Sequence, residues 1–158
     1  MQAIVLAAGK GKRIKSKTTS KVLLPLAGQP MIGYIIDTLK KLGIKNIIVV
    51  VGFRKERVIK FLGDSVSYVE QRKKLGTANA VFAATKIINK DDSNVLILNA
   101  DDSAFYNTRI LRELIALHNR KKADISMLTV IKKNPIGLGR VLRTKQGYVF
   151  GIIEEKVA

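Results

Sequence analysis

Short continuous apolar runs alternate along this chain with stretches whose apolar residues recur at helical spacing. Ala3-Ile-Val-Leu6, Asn46-Ile-Ile-Val-Val-Val51, Val66–Val69 and Asn94-Val-Leu-Ile-Leu98 have strand length and little polar alternation. Such runs predict strands buried on both faces. Between them, Pro30–Leu42 places Met31, Ile35, Leu39 and Leu42 on one side, with Tyr34 beside them. Pro30 suits a first helical position and Gly43 a helix stop. Arg54–Leu62 predicts a short helix with Val58, Ile59 and Leu62 inward. Thr77–Ile88 predicts another, facing inward with Ala78, Val81, Phe82 and Ile88. Thr108–Arg120 predicts a helix built on Ile110, Leu111, Leu114, Ile115 and Leu117, with His118 at the stripe's edge in a structural role. Beyond it, Ile125–Ile131 predicts a fifth strand, and Arg140–Glu154 a hairpin turning at Gln146-Gly147. Strands that alternate with helices predict an α/β fold with a mostly parallel sheet covered on both faces. Ligands in such folds bind beyond the C-terminal strand ends, near a reversal of strand order.

Composition narrows the classes. The 158 residues suit one domain, and a hydrophobic content of 47% argues against disorder. With no cysteine, disulfides and thiolate metal sites are excluded. No apolar run approaches the ~18 residues of a membrane span, and the N-terminus lacks a basic segment before its apolar run. A cytoplasmic protein without membrane association is the expectation. The net charge is +17, from 29 basic and 12 acidic residues. Nucleic-acid binding, attraction of anionic substrates and a dispersed basic surface all fit that charge. The bases are spread along the chain and no Trp is present, so a base-stacking surface is poorly supplied. Nucleic acid is therefore the least favoured partner.

Three stretches carry candidate chemistry. After Leu6, Gly9 and Gly11 permit a tight turn and close backbone approach. Lys10, Lys12, Arg13, Lys15, Lys17 and Lys21 follow with no acid between them. Backbone N–H groups and cations in this order suit a polyphosphate. A solvated basic loop is the plain alternative. The pattern is neither a P-loop nor a dinucleotide fingerprint. Asn99-Ala100-Asp101-Asp102 ends the fourth strand, and its carboxylates suit Mg²⁺ together with substrate phosphates. A turn, or acids ahead of the next helix, explains them equally well in isolation. Gln71 carries an amide able to pair with the edge of a uracil ring. Gly76 and Thr77 follow it at the start of a helix, where a surface loop and cap are the alternative.

These stretches resemble the sugar-1-phosphate nucleotidylyltransferases. The first resembles L-A-A-G-x-G-T-R-M-x-S-x-x-P-K and matches at Leu6, Ala7, Ala8, Gly9, Gly11, Arg13, Ser16 and Lys21. Lys12 stands for Thr, Ser20 stands for Pro, and one extra residue separates Arg13 from Lys21. The second resembles Q-x-x-Q-L-G-T-A-H-A through Gln71, Leu75, Gly76, Thr77, Ala78 and Ala80. Lys74 replaces the second Gln and Asn79 replaces His. Asp101 occupies the position of the family's metal-binding aspartate, with Asp102 beside it. Gly137-Leu-Gly-Arg140 and Ile152-Ile-Glu-Glu-Lys156 resemble G-Y-G-R and I-V-E-x-K.

The resemblance implies a Rossmann-like nucleotidyltransferase domain over residues 1–158, short at its C-terminal end. It implies Arg13 and Lys21 as the catalytic cations. It further implies Leu6, Ala7, Ala8, Gly9, Gly11, Gln71, Gly76 and Thr77 on the nucleotide, Gly139 and Glu154 on the sugar, and Asp101 on Mg²⁺. The implied reaction joins UTP and N-acetylglucosamine 1-phosphate into UDP-N-acetylglucosamine and pyrophosphate, a step toward cell-envelope precursors. A related enzyme using glucose 1-phosphate, or another sugar phosphate or base, remains open. So does a non-catalytic nucleic-acid-binding domain. Related domains run on past the position of Ala158 to two further Asn ligands, so this chain is expected to bind nucleotide but turn over slowly. A last strand without neighbours favours a homo-oligomer.

Overall fold

The computed structural model describes residues 1–9, 11, 19–73, 75–92, 94–101 and 106–155. Lys10, Lys12, Arg13, Lys15, Ser16, Lys17, Lys74, Asp102, Lys156 and Ala158, named above, lie outside these. The chain forms two compact units, Met1–Glu113 and Leu114–Ala158.

The first unit is built on a parallel sheet of four strands. In chain order they are β1 (Gln2–Leu6), β4 (Asn46–Val51), β5 (Ser67–Glu70) and β6 (Val95–Asn99). Between β1 and β4 a two-residue ladder joins β2 (Pro25–Leu26) to β3 (Gln29–Pro30). The sheet runs β5-β4-β1-β6, with Ile4 opposite both Ile48 and Ile97. The chain thus builds outward from β1 on one side, then returns to add β6 on the other. That reversal opens a crevice between the C-terminal ends of β1 and β6. The α/β fold with a parallel core sheet is as expected.

Side-chain alternation divides the core. Ile4, Ile48 and Val50 pack with Ala80 and Ala84 of α3 (Thr77–Ala84) on one face. Ala3, Val5, Ile47, Val49 and Val51 are buried on the other. Helix α1 (Met31–Lys41) buries Ile32, Ile35, Ile36 and Leu39, and α2 (Lys55–Leu62) buries Val58. Gly43 follows α1 with φ +78°, the left-handed stop expected of it. Among the described residues no helix is long and apolar enough to cross a membrane.

Several expectations are corrected. Pro30 lies just before α1 in extended conformation, and the buried stripe turns from Met31 toward Ile32 and Ile36. Ile59 is exposed, because the short α2 offers the core little more than Val58. Helix α3 stops at Ala84, not Ile88. There the Thr85 hydroxyl donates to the Phe82 carbonyl at 2.7 Å and the backbone tightens into turns. Its inward residues are small: Ala80 and Ala84 are buried, whereas Ala78 is exposed and Phe82 is 67% exposed. β6 is not buried on both faces. It is the outer strand beside β1, and Ile97 stays 45% exposed on the α3 side because α3 lies over β1, β4 and β5.

In the second unit β7 (Arg140–Arg143) and β8 (Val149–Ile153) form the expected antiparallel hairpin. Its turn closes with Gly147 N–H donating to the Thr144 carbonyl at 2.9 Å. α4 (Thr108–Lys121) starts in the first unit, where Asn107 Oδ1 accepts from Ile110 N–H at 3.0 Å as a cap. His118 Nδ1 lies 3.0 Å from Ser126 Oγ. The expected Ile125–Ile131 strand does not form. Its β-branched residues Ile125, Val130 and Ile131 are exposed, and it pairs with no strand among the described residues. Strand preference is realised only against a neighbouring edge.

Candidate nucleotide site at the strand ends

The end of β1 is clasped from both sides. Ala7 N–H donates to the Val50 carbonyl at 2.8 Å, and Ala100 N–H donates to the Leu6 carbonyl at 3.1 Å. Ala7 and Ala8 are buried, and Gly9 emerges into solvent. Gly9 has open space where a side chain would stand. Gly11 adopts φ +60°, and a Cβ there would lie 3.0 Å from Lys21 Cβ. Both its dihedral and its tight approach therefore favour glycine. That contact brings the second loop glycine against the stem of Lys21.

Lys21 opens a 3₁₀ turn, Lys21–Leu23, anchored by buried Val22. Its Nζ donates to Asp101 Oδ2 at 2.6 Å, across the crevice between β1 and β6. Each side chain is about one-third exposed, 34% and 29%. Ahead of it, Ser20 is fully buried and its hydroxyl has no hydrogen-bond partner among the described residues. Arg57 of α2 donates to Thr19 Oγ1 at 3.1 Å, tying the loop's return to the sheet.

Gln71 follows β5 and is 8% exposed. Its backbone N–H donates to the Val51 carbonyl at 2.9 Å. Its Nε2 donates to the Gly76 carbonyl at 3.0 Å and to Asn79 Oδ1 at 3.2 Å. The donor side of this amide is thus committed to neighbouring groups of the chain. Gly76 precedes α3 with φ +95°, and exposed Thr77 is the first residue of that helix. One residue before Gln71, Glu70 accepts from Lys55 Nζ at 2.7 Å. That hydrogen bond holds its carboxyl below the usual range.

Gly52 directly follows β4. A Cβ on it would come 2.9 Å from the Ala8 carbonyl oxygen and 3.0 Å from Ala8 Cβ. It is therefore the surface against which the first loop is set. The available sequence signal was a glycine directly after a buried run beside the loop strand.

Gln71, the glycine loop and the Lys21–Asp101 pair thus share one edge of one sheet. From β5 across β4 and β1 to β6 is three strand spacings, about 14 Å. A separation of this size suits an extended ligand such as a nucleoside triphosphate. The profile of the Nucleotidyl transferase family matches residues 2–156. The chain belongs to this family. Relatives include the bifunctional protein GlmU of Symbiobacterium thermophilum, 40% identical over 157 residues, 99% of this chain and 33% of that protein. GlmU of Oceanobacillus iheyensis is 38% identical, over 99% of this chain and 34% of the relative. GlmU of Bacillus subtilis is 37% identical over the same shares, 99% and 34%. The chain spans about one-third the length of these relatives.

For a nucleotidyl transferase, the donor set around Asp101 bears on metal binding. Among the described residues no three carboxylate, imidazole or thiol groups converge. Mg²⁺ is commonly held by one or two carboxylates plus phosphate oxygens. Among the described residues Asp101 offers one such carboxylate at the crevice.

Gly139 and Glu154 belong to the second unit. They meet at the open end of the β7–β8 hairpin, where a Cβ on Gly139 would lie 3.7 Å from Glu154 Oε2. The neighbouring Glu155 accepts from Gly137 N–H and pairs with Arg140 at 3.8 Å.

Proposed function

We propose that this chain transfers a uridylyl group from UTP to N-acetylglucosamine 1-phosphate. The observation carrying the reading is the arrangement along one sheet edge: buried Gln71 at β5, the glycine loop at β1, and Lys21 with Asp101 at the crevice. The sequence resemblance supports the choice of base and sugar.

A phosphate oxygen of the sugar phosphate attacks the α-phosphorus of UTP. An O–Pα bond forms and the bond from Pα to the bridging oxygen breaks, so pyrophosphate leaves with the bonding pair. The nucleophile is already an anion at neutral pH, and no general base is needed. The protein's task is positioning and charge neutralisation. Leu6 and Ala7 line the base pocket, and backbone at Ala8 and Gly76 together with Gln71 reads the base edge. Thr77 joins the nucleotide contacts. Gly9 and Gly11 let the backbone approach the phosphates. Lys21 and Arg13 neutralise the charge that develops on the leaving pyrophosphate. Asp101 would hold Mg²⁺, which would supply further charge neutralisation there. Gly139 and Glu154 contact the amino sugar.

The test is pyrophosphate release from a panel of nucleoside triphosphates, each with N-acetylglucosamine 1-phosphate or glucose 1-phosphate. UTP with the amino sugar is expected to release pyrophosphate fastest. Faster release with glucose 1-phosphate or another base overturns this assignment in favour of a related transferase. A companion expectation concerns Gln71→Ala. It should weaken UTP by about 1–3 kcal/mol through the lost base contact, while pyrophosphate binding is retained. Equal losses for both ligands would remove Gln71 as the base reader.

A further inference from the structure

We infer that Glu155 is a positioning residue for the amino sugar: its carboxylate ties the loop that carries Gly139 to the strand end that carries Glu154. This rests on the reading above that places Gly139 and Glu154 on the sugar, and adds to it the residue that sets one against the other.

Both sugar residues lie just outside the β7–β8 ladder. Its rung at the open end pairs Arg140 with Ile153, so Gly139 precedes the ladder and Glu154 follows it. The loop before β7 closes on itself. Leu138 N–H donates to the Pro135 carbonyl at 3.1 Å. Arg140 Nη1 donates to the same carbonyl at 2.9 Å and to the Leu138 carbonyl. None of these bonds reaches beyond β8, and Glu155 makes that link. Its Oε2 accepts from Gly137 N–H, and its Oε1 lies 3.8 Å from Arg140 Nη2. The roles have one assignment, because a backbone N–H only donates and a carboxylate only accepts.

The two contacts differ in weight. The guanidinium pair is long and both side chains are more than one-third exposed, where ion pairs contribute little. The bond from Gly137 N–H to a carboxylate is charge-assisted and is the stronger of the two. It also falls where the chain needs it. Gly137 sits at φ +82°, and a glycine passes easily to other conformations, so the loop is not fixed by its own backbone there. Glu155 stands at the open position of the I-V-E-x-K resemblance, so that motif assigns it no role.

The test compares dissociation constants for UDP-N-acetylglucosamine and UMP by calorimetry in the wild type, Glu155→Ala and Glu155→Gln, with thermal melts alongside. The Glu155 side chain is 37% exposed, so both variants are expected to fold. The two ligands carry similar charge, so the ratio of their affinities cancels the change in protein charge and reads the sugar side. The wild type should prefer the nucleotide sugar. Glu155→Ala should reduce that preference about two- to tenfold, the worth of one hydrogen bond. Glu155→Gln keeps an acceptor for Gly137 N–H and should keep most of the wild-type ratio. An Ala variant with the wild-type ratio, or a Gln variant that loses as much as Ala, overturns the role of Glu155 and leaves the uridylyl reading standing. A wild type that binds UMP as tightly as the nucleotide sugar overturns the placement of Gly139 and Glu154 on the sugar, and this inference with it.

Discussion

Lys21 Nζ stands 2.6 Å from Asp101 Oδ2, so the cation that follows the loop of β1 neutralises the anion that follows β6. Neither residue is deeply buried, and partly exposed pairs contribute roughly 0–1 kcal/mol to stability. The pairing is better understood as a poised site than as a brace. Asp101→Asn should therefore shift the unfolding free energy by no more than about 1 kcal/mol. It should abolish metal-dependent tightening of UTP binding, measured by titration with and without Mg²⁺. A folded Asp101→Asn protein with undiminished Mg²⁺ enhancement would contradict the assignment.

Gly52 and Gly9 make opposite predictions for the same substitution. At Gly52 an added methyl meets the Ala8 backbone at 2.9 Å, and backbone cannot rotate away. Gly52→Ala should destabilise by about 1–3 kcal/mol, the usual penalty for overpacking, and weaken nucleotide binding by displacing Ala8. At Gly9 nothing among the described residues lies within 4 Å of an added Cβ, and its φ is outside the left-handed region. Gly9→Ala should leave the urea midpoint nearly unchanged while still weakening UTP, because the methyl would occupy ligand space. Unchanged affinity in the Gly9 variant would show that the phosphates do not approach there.

Ser20 should accept proline. Its backbone, at φ −62° and ψ 138°, already has the proline conformation. Its buried hydroxyl has no hydrogen-bond partner among the described residues. Ser20→Pro should raise stability by about 0.4–1 kcal/mol through the unfolded chain, read as a higher melting temperature with UTP binding retained. A lower melting temperature would mean that the ring does not fit beneath Lys21.

Local features were legible in the sequence, and distant ones were not. The runs at β1 and β4, the glycine loop, Gln71 and the β7–β8 hairpin are each written in a few neighbouring residues. Exposure of Ile97 was not legible, because Val95-Leu-Ile-Leu98 is apolar throughout and an unbroken run does not say how many faces are covered. Phe82 misled for the opposite reason. Bulk suggested the core, but α3 lies close enough to the sheet that Ala80 and Ala84 fill the gap. Ile125–Ile131 has strand composition without a partner edge. Lys21 and Asp101 could be named separately, yet their pairing joins residues 80 positions apart. The seat of Ala8 on Gly52 is likewise a packing fact with no local signature.

The order of strands also sets a timetable. β1 is made first, yet its two neighbours come later, β4 from Asn46 and β6 from Val95. At a synthesis rate of 5–20 residues per second, the roughly fifty residues between those starts take about 2–10 s. During that interval one flank of β1 shows unpaired N–H and C=O groups on the nascent chain. The glycine loop and Gln71 already exist by then, but Asp101 does not. A growing chain therefore carries the glycine loop, Lys21 and Gln71 before it carries the carboxylate with which Lys21 pairs.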